Sequence, residues 1–164
     1  MIKIAYIGAG SIQFGPIIVQ DILLSEKLCE KGLEICLMDI ELSHLDHVFK
    51  HAEYVNNTLK RNVKIIKTDN REEAIRNSDF VICALEKDRN IFWSQDFHIP
   101  RKYGFKQVYG ENGGVGSLFH ALRNIKIIVD LAKDMEKLCP KSILLNFSNP
   151  EHKICEAVTR LTNI

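Results

Sequence analysis

Three stretches of this sequence have the residue types and spacing to do chemistry. The first is a glycine turn, Gly8-Ala9-Gly10-Ser11, which ends the short apolar run of Ile2, Ile4, Ala5 and Ile7. A helical apolar pattern follows it through Ile17, Ile18, Ile22 and Leu23. A buried strand, a tight turn and a helix in that order aim free backbone N–H groups and a helix N-terminus at one point, which suits a phosphate anion. The second is Asp39, which closes another apolar run beginning at Glu34. An acid in that place can accept from both hydroxyls of a ribose. The third is Asn149-Pro150, a polar pair that ends an apolar strand and whose amide would point into any crevice bordering that strand end. The glycine-rich loop Gly110–Gly116 can reach the same edge.

The first two stretches together read as a site for NAD. The spacing is not the usual one. A dinucleotide fingerprint wants a third glycine at position 13, where this chain has Gln13. Asp39 also comes later than the usual ~20 residues, which predicts a long first helix. The alternative reading of the same pattern is an ordinary strand–turn–helix with a surface Asp.

The elements that must position these residues alternate. Pro16 suits a first helical turn, so the first helix is predicted from about Gly15 to Glu30, leaving Ser11 to Phe14, with Ile12, as an extended phosphate-facing turn. Strand two is Glu34 to Met38. A long helix carries Leu42, Leu45, Val48, Phe49, Ala52 and Val55 on one face. Val63 to Lys67 is strand three, Arg71 to Asn77 a short helix, and Asp79 to Leu85 strand four. Glu86 to Arg101 has no clean period and reads as a packed helix or lid, or as an exposed connecting helix. A long helix runs from about Ser117 to Leu138, strand five from Ser142 to Phe147, and a last helix from about Glu151 to Leu161. This is an α/β, Rossmann-like doubly wound parallel sheet with predicted strand order 3-2-1-4-5 and right-handed crossovers. Its crevice lies where strands one and four diverge, where Gly8–Ser11, Asp39, Ala84, Leu85, Glu86 and Phe147–Pro150 meet.

Composition narrows the partners. The 164 residues suit one domain, and 22 basic against 21 acidic residues leave a net charge of +1 with no basic block. Nucleic acid and membrane surfaces are therefore not expected. No run approaches the ~20 apolar residues of a spanning helix, and no signal peptide is read ahead of the first strand. The five cysteines, odd in number and without Cys-x-x-Cys spacing, read as reduced thiols of a cytoplasmic protein. His44, His47 and His51 share a helical face, which reads as solvated rather than as a metal site.

At this point the residues resemble the NAD-dependent family 4 glycoside hydrolases. The matching pieces are Gly8–Ser11, Leu37–Ile40, Asp79–Ile82, Asp96–Gly104, Gly110–Gly116 with Phe119–Arg123, and Ser148–Pro150, in the family's order. The Ile-Pro-x-Lys-Tyr-Gly segment followed by the glycine loop is the most specific of them. The resemblance implies hydrolysis by a redox route: oxidation at C3 of the sugar with NAD as hydride acceptor, removal of the C2 proton by a tyrosine aided by a divalent metal, usually manganese, then elimination, water addition and reduction. It implies that Gly8, Gly10, Ser11 and Ile12 meet the pyrophosphate, that Asp39 meets the adenosine ribose, and that Ala84, Leu85 and Glu86 border the cofactor. Glu111 matches an acid that makes the catalytic tyrosine more basic, and Asn149 a substrate-binding asparagine, with Asn112 and Arg89 as further substrate contacts. On the residues alone, Glu111 also reads as a solvated loop acid and Asn149 as a turn former. His120 reads as a packing or capping histidine, and His152 has no assigned part.

Members acting on 6-phosphorylated sugars carry an arginine where this chain has Trp93, which points to an unphosphorylated α-hexoside or a uronide, with Arg89 available to an acidic sugar. The resemblance places the metal ligands and the tyrosine beyond Ile164. No metal site is therefore expected within this chain, and the sheet is expected to stop short of a sixth strand. On that reading the 164 residues are the NAD-binding part, inactive alone, with a small carbohydrate as the partner ligand and a homo-oligomer as the expected assembly. Two alternatives share the fold: a lactate- or malate-type dehydrogenase, which would need a His–Asp pair that the sequence does not offer, and a stand-alone nucleotide-binding module without catalysis.

Overall fold

Successive side chains of a strand leave on opposite faces, and in the first strand both sets are apolar. Ile4 and Tyr6 enter one core and Ala5 and Ile7 the other. A strand buried on both faces belongs in the middle of a parallel sheet flanked by helices. The computed structural model, which describes residues 1–108 and 111–164, has that arrangement. Strands β1 (Ile2–Ile7), β2 (Leu33–Met38), β3 (Lys64–Thr68), β4 (Phe80–Cys83) and β5 (Ile143–Asn146) form one sheet in the order β3-β2-β1-β4-β5. All four pairings are parallel, with Ile7 opposite Met38 and also opposite Cys83. The order is the predicted one.

Helices α1 (Gly15–Leu24), α2 (Glu26–Glu30) and α3 (Leu42–Thr58) cover one face, with Val19, Leu23, Leu45 and Val48 buried against Ile35 and Leu37. Helices α4 (Arg71–Ile75), α6 (Gly114–Leu138) and α7 (Glu151–Leu161) cover the other, where Ile128, Leu131, Met135 and Ile154 meet Val81 and Cys83. Fully burying one such aliphatic side chain stabilises the fold by about 1.5–3 kcal/mol, so each core is held by many small contributions. Helix α5 (Arg89–Lys102) packs on α6. Among the described residues no helix is long and apolar enough to cross a membrane.

The predicted single helix from Gly15 to Glu30 is instead two. Ser25 sits at ψ 92°, outside helical geometry; its N–H donates to Ile22 O, closing α1, while its carbonyl accepts from Leu28 and Cys29 and opens α2. The late position of Asp39 is therefore taken up by a bent pair of helices. The long helix α6 starts at Gly114, inside the glycine loop and earlier than predicted, because Gly113 is extended and Gly114 takes a left-handed φ of +76°. The segment from Glu86 to Arg101 resolves as a packed helix: Asp96 is buried, and a Cβ on Gly116 would stand 2.1 Å from Asp96 O, so α5 and α6 meet backbone to backbone.

Candidate functional site

The turn after β1 is folded back on β2. Gly8 and Ala9 both donate to Met38 O, at 2.9 and 3.0 Å. A Cβ on Gly8, which holds φ +83°, would lie 2.2 Å from Ala84 O, so β1 and β4 pinch together at this point. Gly10 N donates to Asp39 Oδ2 at 2.8 Å, and Glu41 N donates to Asp39 Oδ1 at 3.0 Å. A Cβ on Gly10 would meet that same carboxylate at 2.8 Å. Asp39 thus braces the turn with one lone pair of each oxygen, and its others accept from no group among the described residues.

The missing third glycine is supplied two residues later. A Cβ on Gly15 would sit 2.3 Å from Ala9 O and 2.9 Å from Val48 Cγ2, so Gly15 provides the close helix approach that the fingerprint assigns to position 13. The longer turn is stitched by Gly15 N to Ser11 O at 2.7 Å and Phe14 N to Ser11 Oγ at 3.2 Å. Within it, the amides of Ile12 and Gln13 donate to no group among the described residues.

Ser11, Gln13 and Phe14 of this turn line a cavity of about 720 Å³ at the carboxyl edge of the sheet. Its wall runs from Gly8, Gly10 and Ser11 past Asp39 to the segments Ala84–Arg89 and Phe147–Asn149. The last two segments are tied together: Leu85 N donates to Ser148 Oγ at 2.7 Å, and Ser148 is itself set by Asn146, whose Oδ1 accepts from Ser148 N at 3.1 Å.

At the β4–β5 end a charged cluster completes the wall. Arg89 donates from one terminal nitrogen to Glu111 Oε1 at 2.7 Å and from the other to Glu86 Oε2. Asn149 Nδ2 donates to the second oxygen of Glu111 at 2.8 Å. Burial on its own favours neutral Arg89, but the carboxylates of Glu86 and Glu111 outweigh it and hold the guanidinium above its ordinary value. The Asn149-Pro150 peptide bond is cis.

Behind the wall lies a second, buried layer. His120 is 2% exposed; its Nε2 is 3.2 Å from Asn124 Nδ2 and 3.9 Å from Glu86 Oε1, and its Nδ1 is 3.5 Å from Asp96 Oδ2. Asn124 Nδ2 also donates to Asn149 O at 2.9 Å, and Arg123 pairs with Asp96. The structure therefore contains a His–Asp pair that the sequence reading did not find. It stands behind the wall, where His120 Nε2 is 3.9 Å from the wall residue Glu86.

Gly8, Gly10, Ser11, Asp39, Ala84, Leu85, Glu86, Arg89 and Asn149 come together on one cavity wall. Glu111 is buried just behind it, bonded to two of its members. Ile12, with a 77% exposed side chain, does not line the cavity. Asn112 is exposed and is neither on the wall nor in the cluster. Gly110, the first residue of the glycine loop, lies outside the described residues. Sequence reading missed Gly15, Asn146, Asp96 and Asn124. Gly15 had a legible signal, a glycine directly before the helix-starting Pro16, whereas the others act through partners far away in the chain.

The cradle fits NAD on three counts: two glycines whose Cβ atoms would collide with the wall, two undirected amides, and an acid with free lone pairs. A divalent metal finds no such fit. Among the described residues no group of three His, Cys, Asp or Glu side chains is placed to hold one.

A family profile described as family 4 glycosyl hydrolase matches residues 3–164. An α-glucosidase of Erwinia rhapontici is 42% identical over 161 residues, covering 96% of this chain and 35% of that protein. An α-galactosidase of Bacillus subtilis (strain 168) is 36% identical over 168 residues, with 100% and 38% covered. An α-galacturonidase of Thermoanaerobacter italicus is 34% identical over 149 residues, with 91% and 31% covered. The chain spans about a third of the length of these curated relatives. A 6-phospho-α-glucosidase from gut microorganisms, solved with NAD and glucose-6-phosphate, superposes with a TM-score of 0.82 at 25% identity, covering 98% of this chain and 37% of that one.

Proposed function

The chain belongs to the family 4 glycosyl hydrolases, and on that premise we propose that it forms the cofactor-binding part of an NAD-dependent glycosidase acting on unphosphorylated hexosides or hexuronides. The observation that carries this reading is a juxtaposition. A dinucleotide cradle, Gly8, Gly10 and Ser11 with Asp39, borders the same cavity as Arg89 and Asn149, the two wall residues that Glu111 ties together from behind. When bound, NAD supplies reversible hydride acceptance, which is what a route through C3 oxidation, elimination, water addition and reduction requires.

The chain's own residues have separate parts in the proposal. The amides of Ile12 and Gln13 receive the pyrophosphate at the start of α1, where the helix dipole favours an anion. Asp39 accepts from the ribose hydroxyls. Asn149 presents its remaining carbonyl oxygen to a sugar hydroxyl, while Glu111 fixes the amide and lends negative charge to a neighbouring base. Trp93, where phospho-sugar members carry arginine, stacks on Phe97 at 5.8 Å and lies under Arg89, so it adds no cation for a phosphate. No step is assigned to a metal on these residues. A cytoplasmic homo-oligomer is part of the same proposal, its cytoplasmic part supported by the five free thiols.

The test is turnover by the protein at its natural length. Nitrophenyl α- and β-hexosides, hexuronides and their 6-phosphates are offered with manganese and reductant, with and without NAD. Cleavage of an unphosphorylated glycoside that depends on added NAD is the expected result. Cleavage confined to the 6-phosphates, or equal without NAD in nucleotide-stripped protein, would contradict the proposal.

A further inference from the structure

Resting on the glycosidase reading above, we propose that Glu86 sets the charge preference of the sugar end of the cavity and makes the site select neutral hexosides over hexuronides. A carboxylate ligand is best held by a guanidinium that offers two parallel N–H bonds. Arg89 is the arginine on the wall beside Asn149, and both of its terminal nitrogens are taken by separate carboxylates, Glu86 on one side and Glu111 on the other. Its ring partner Trp93, 5.8 Å from the guanidinium carbon, holds it in that pose. The other arginine on the wall, Arg71, is paired with Asp134. Lys87 and Asp88 follow on the exposed rim with opposite charges.

The triplet of two acids and one guanidinium therefore carries a net negative charge. One oxygen of it is left over. Glu86 Oε1 is buried and accepts no hydrogen bond among the described residues, and His120 Nε2 lies 3.9 Å from it. A sugar carboxylate at this end would meet an Arg89 already paired with two acids and face the repulsion of both. Sugar hydroxyls instead donate to the carbonyl oxygen that Asn149 keeps free on the wall. Glu86 is thus a specificity-determining residue: it keeps Arg89 neutralised, and without it Arg89 has an open fork.

The experiment is equilibrium binding of methyl hexosides and the matching methyl hexuronides to the NAD-loaded protein at its natural length. In the wild type the neutral glycosides are expected to bind at least about tenfold tighter. In Glu86→Gln that gap is expected to narrow by about tenfold, the scale of removing one nearby charge from a partly screened site. Arg89→Met, which leaves the carboxylates of Glu86 and Glu111 without their guanidinium, is expected to leave the neutral glycoside the tighter ligand. Uronides binding as tightly as hexosides in the wild type, an unchanged gap in Glu86→Gln, or a uronide preference that vanishes in Arg89→Met would each overturn the inference. NAD titration of the wild type is read separately. A protein that takes up no NAD overturns the underlying glycosidase reading, whereas NAD uptake with a uronide preference overturns only the part given to Glu86.

Discussion

Gly8→Ala is expected to destabilise the protein by roughly 2 to 5 kcal/mol and to remove NAD binding under conditions where the wild type is saturated. Two costs add. The left-handed backbone at φ +83° is unfavourable for a residue with a Cβ by about 1–2 kcal/mol. The new methyl would stand 2.2 Å from Ala84 O and 2.9 Å from Ala84 C, which are backbone atoms that cannot rotate away. Forcing β1 and β4 apart resembles overpacking, at about 1–3 kcal/mol. Separating them also shifts the turn from Met38 O and carries the Ile12 and Gln13 amides away from the cavity. For a chain of this size each kcal/mol moves the melting temperature by ~2–4 °C, so a drop of roughly 4 to 20 °C is expected. A variant that melts within a degree of the wild type and binds NAD equally well would show that the pinch between β1 and β4 is unimportant.

Asp39→Ala is the second large effect. The carboxylate accepts from Gly10 N and Glu41 N, and its remaining lone pairs face the cavity wall. A hydrogen bond to a charged group contributes about 1.5–3 kcal/mol. Losing the ribose contact and loosening the turn together are expected to weaken NAD binding about 100-fold. The wild type is expected to prefer NAD over NADP, because an acid at the end of β2 repels a 2′-phosphate, and the variant is expected to lose most of that preference. Calorimetric titration of both proteins with both nucleotides reads the two effects separately. Unchanged NAD affinity in Asp39→Ala, or tighter binding of NADP by the wild type, would remove Asp39 from the site.

The sheet was legible because its signal is local. Each strand is an apolar run bounded by polar or glycine residues, and alternate residues of β1 and β2 fill opposite cores. The cavity wall was legible for the same reason, since its members stand at strand ends. What escaped depended on distant partners. The break at Ser25 is a backbone choice between two helical segments that pack under one another. Gly15 shows its role only when Val48 of α3 is set beside it. Arg89 looked like a cation open to an acidic sugar, yet Glu111, far along the chain, closes one side of its fork. His120 read as a packing or capping histidine and Asp96 only as the start of a family-matching segment; their pairing shows once α5 and α6 are in backbone contact at Gly116.

The most direct test of the central claim is a crystal structure of this chain grown with NAD. The pyrophosphate is expected against the amides of Ile12 and Gln13, the adenosine ribose on Asp39, and the nicotinamide at the Ser148–Asn149 end, facing the side where Glu111 and Arg89 close the cavity. NAD bound elsewhere, or lying in the cavity with its nicotinamide at the Asp39 end and turned away from Asn149, would contradict it.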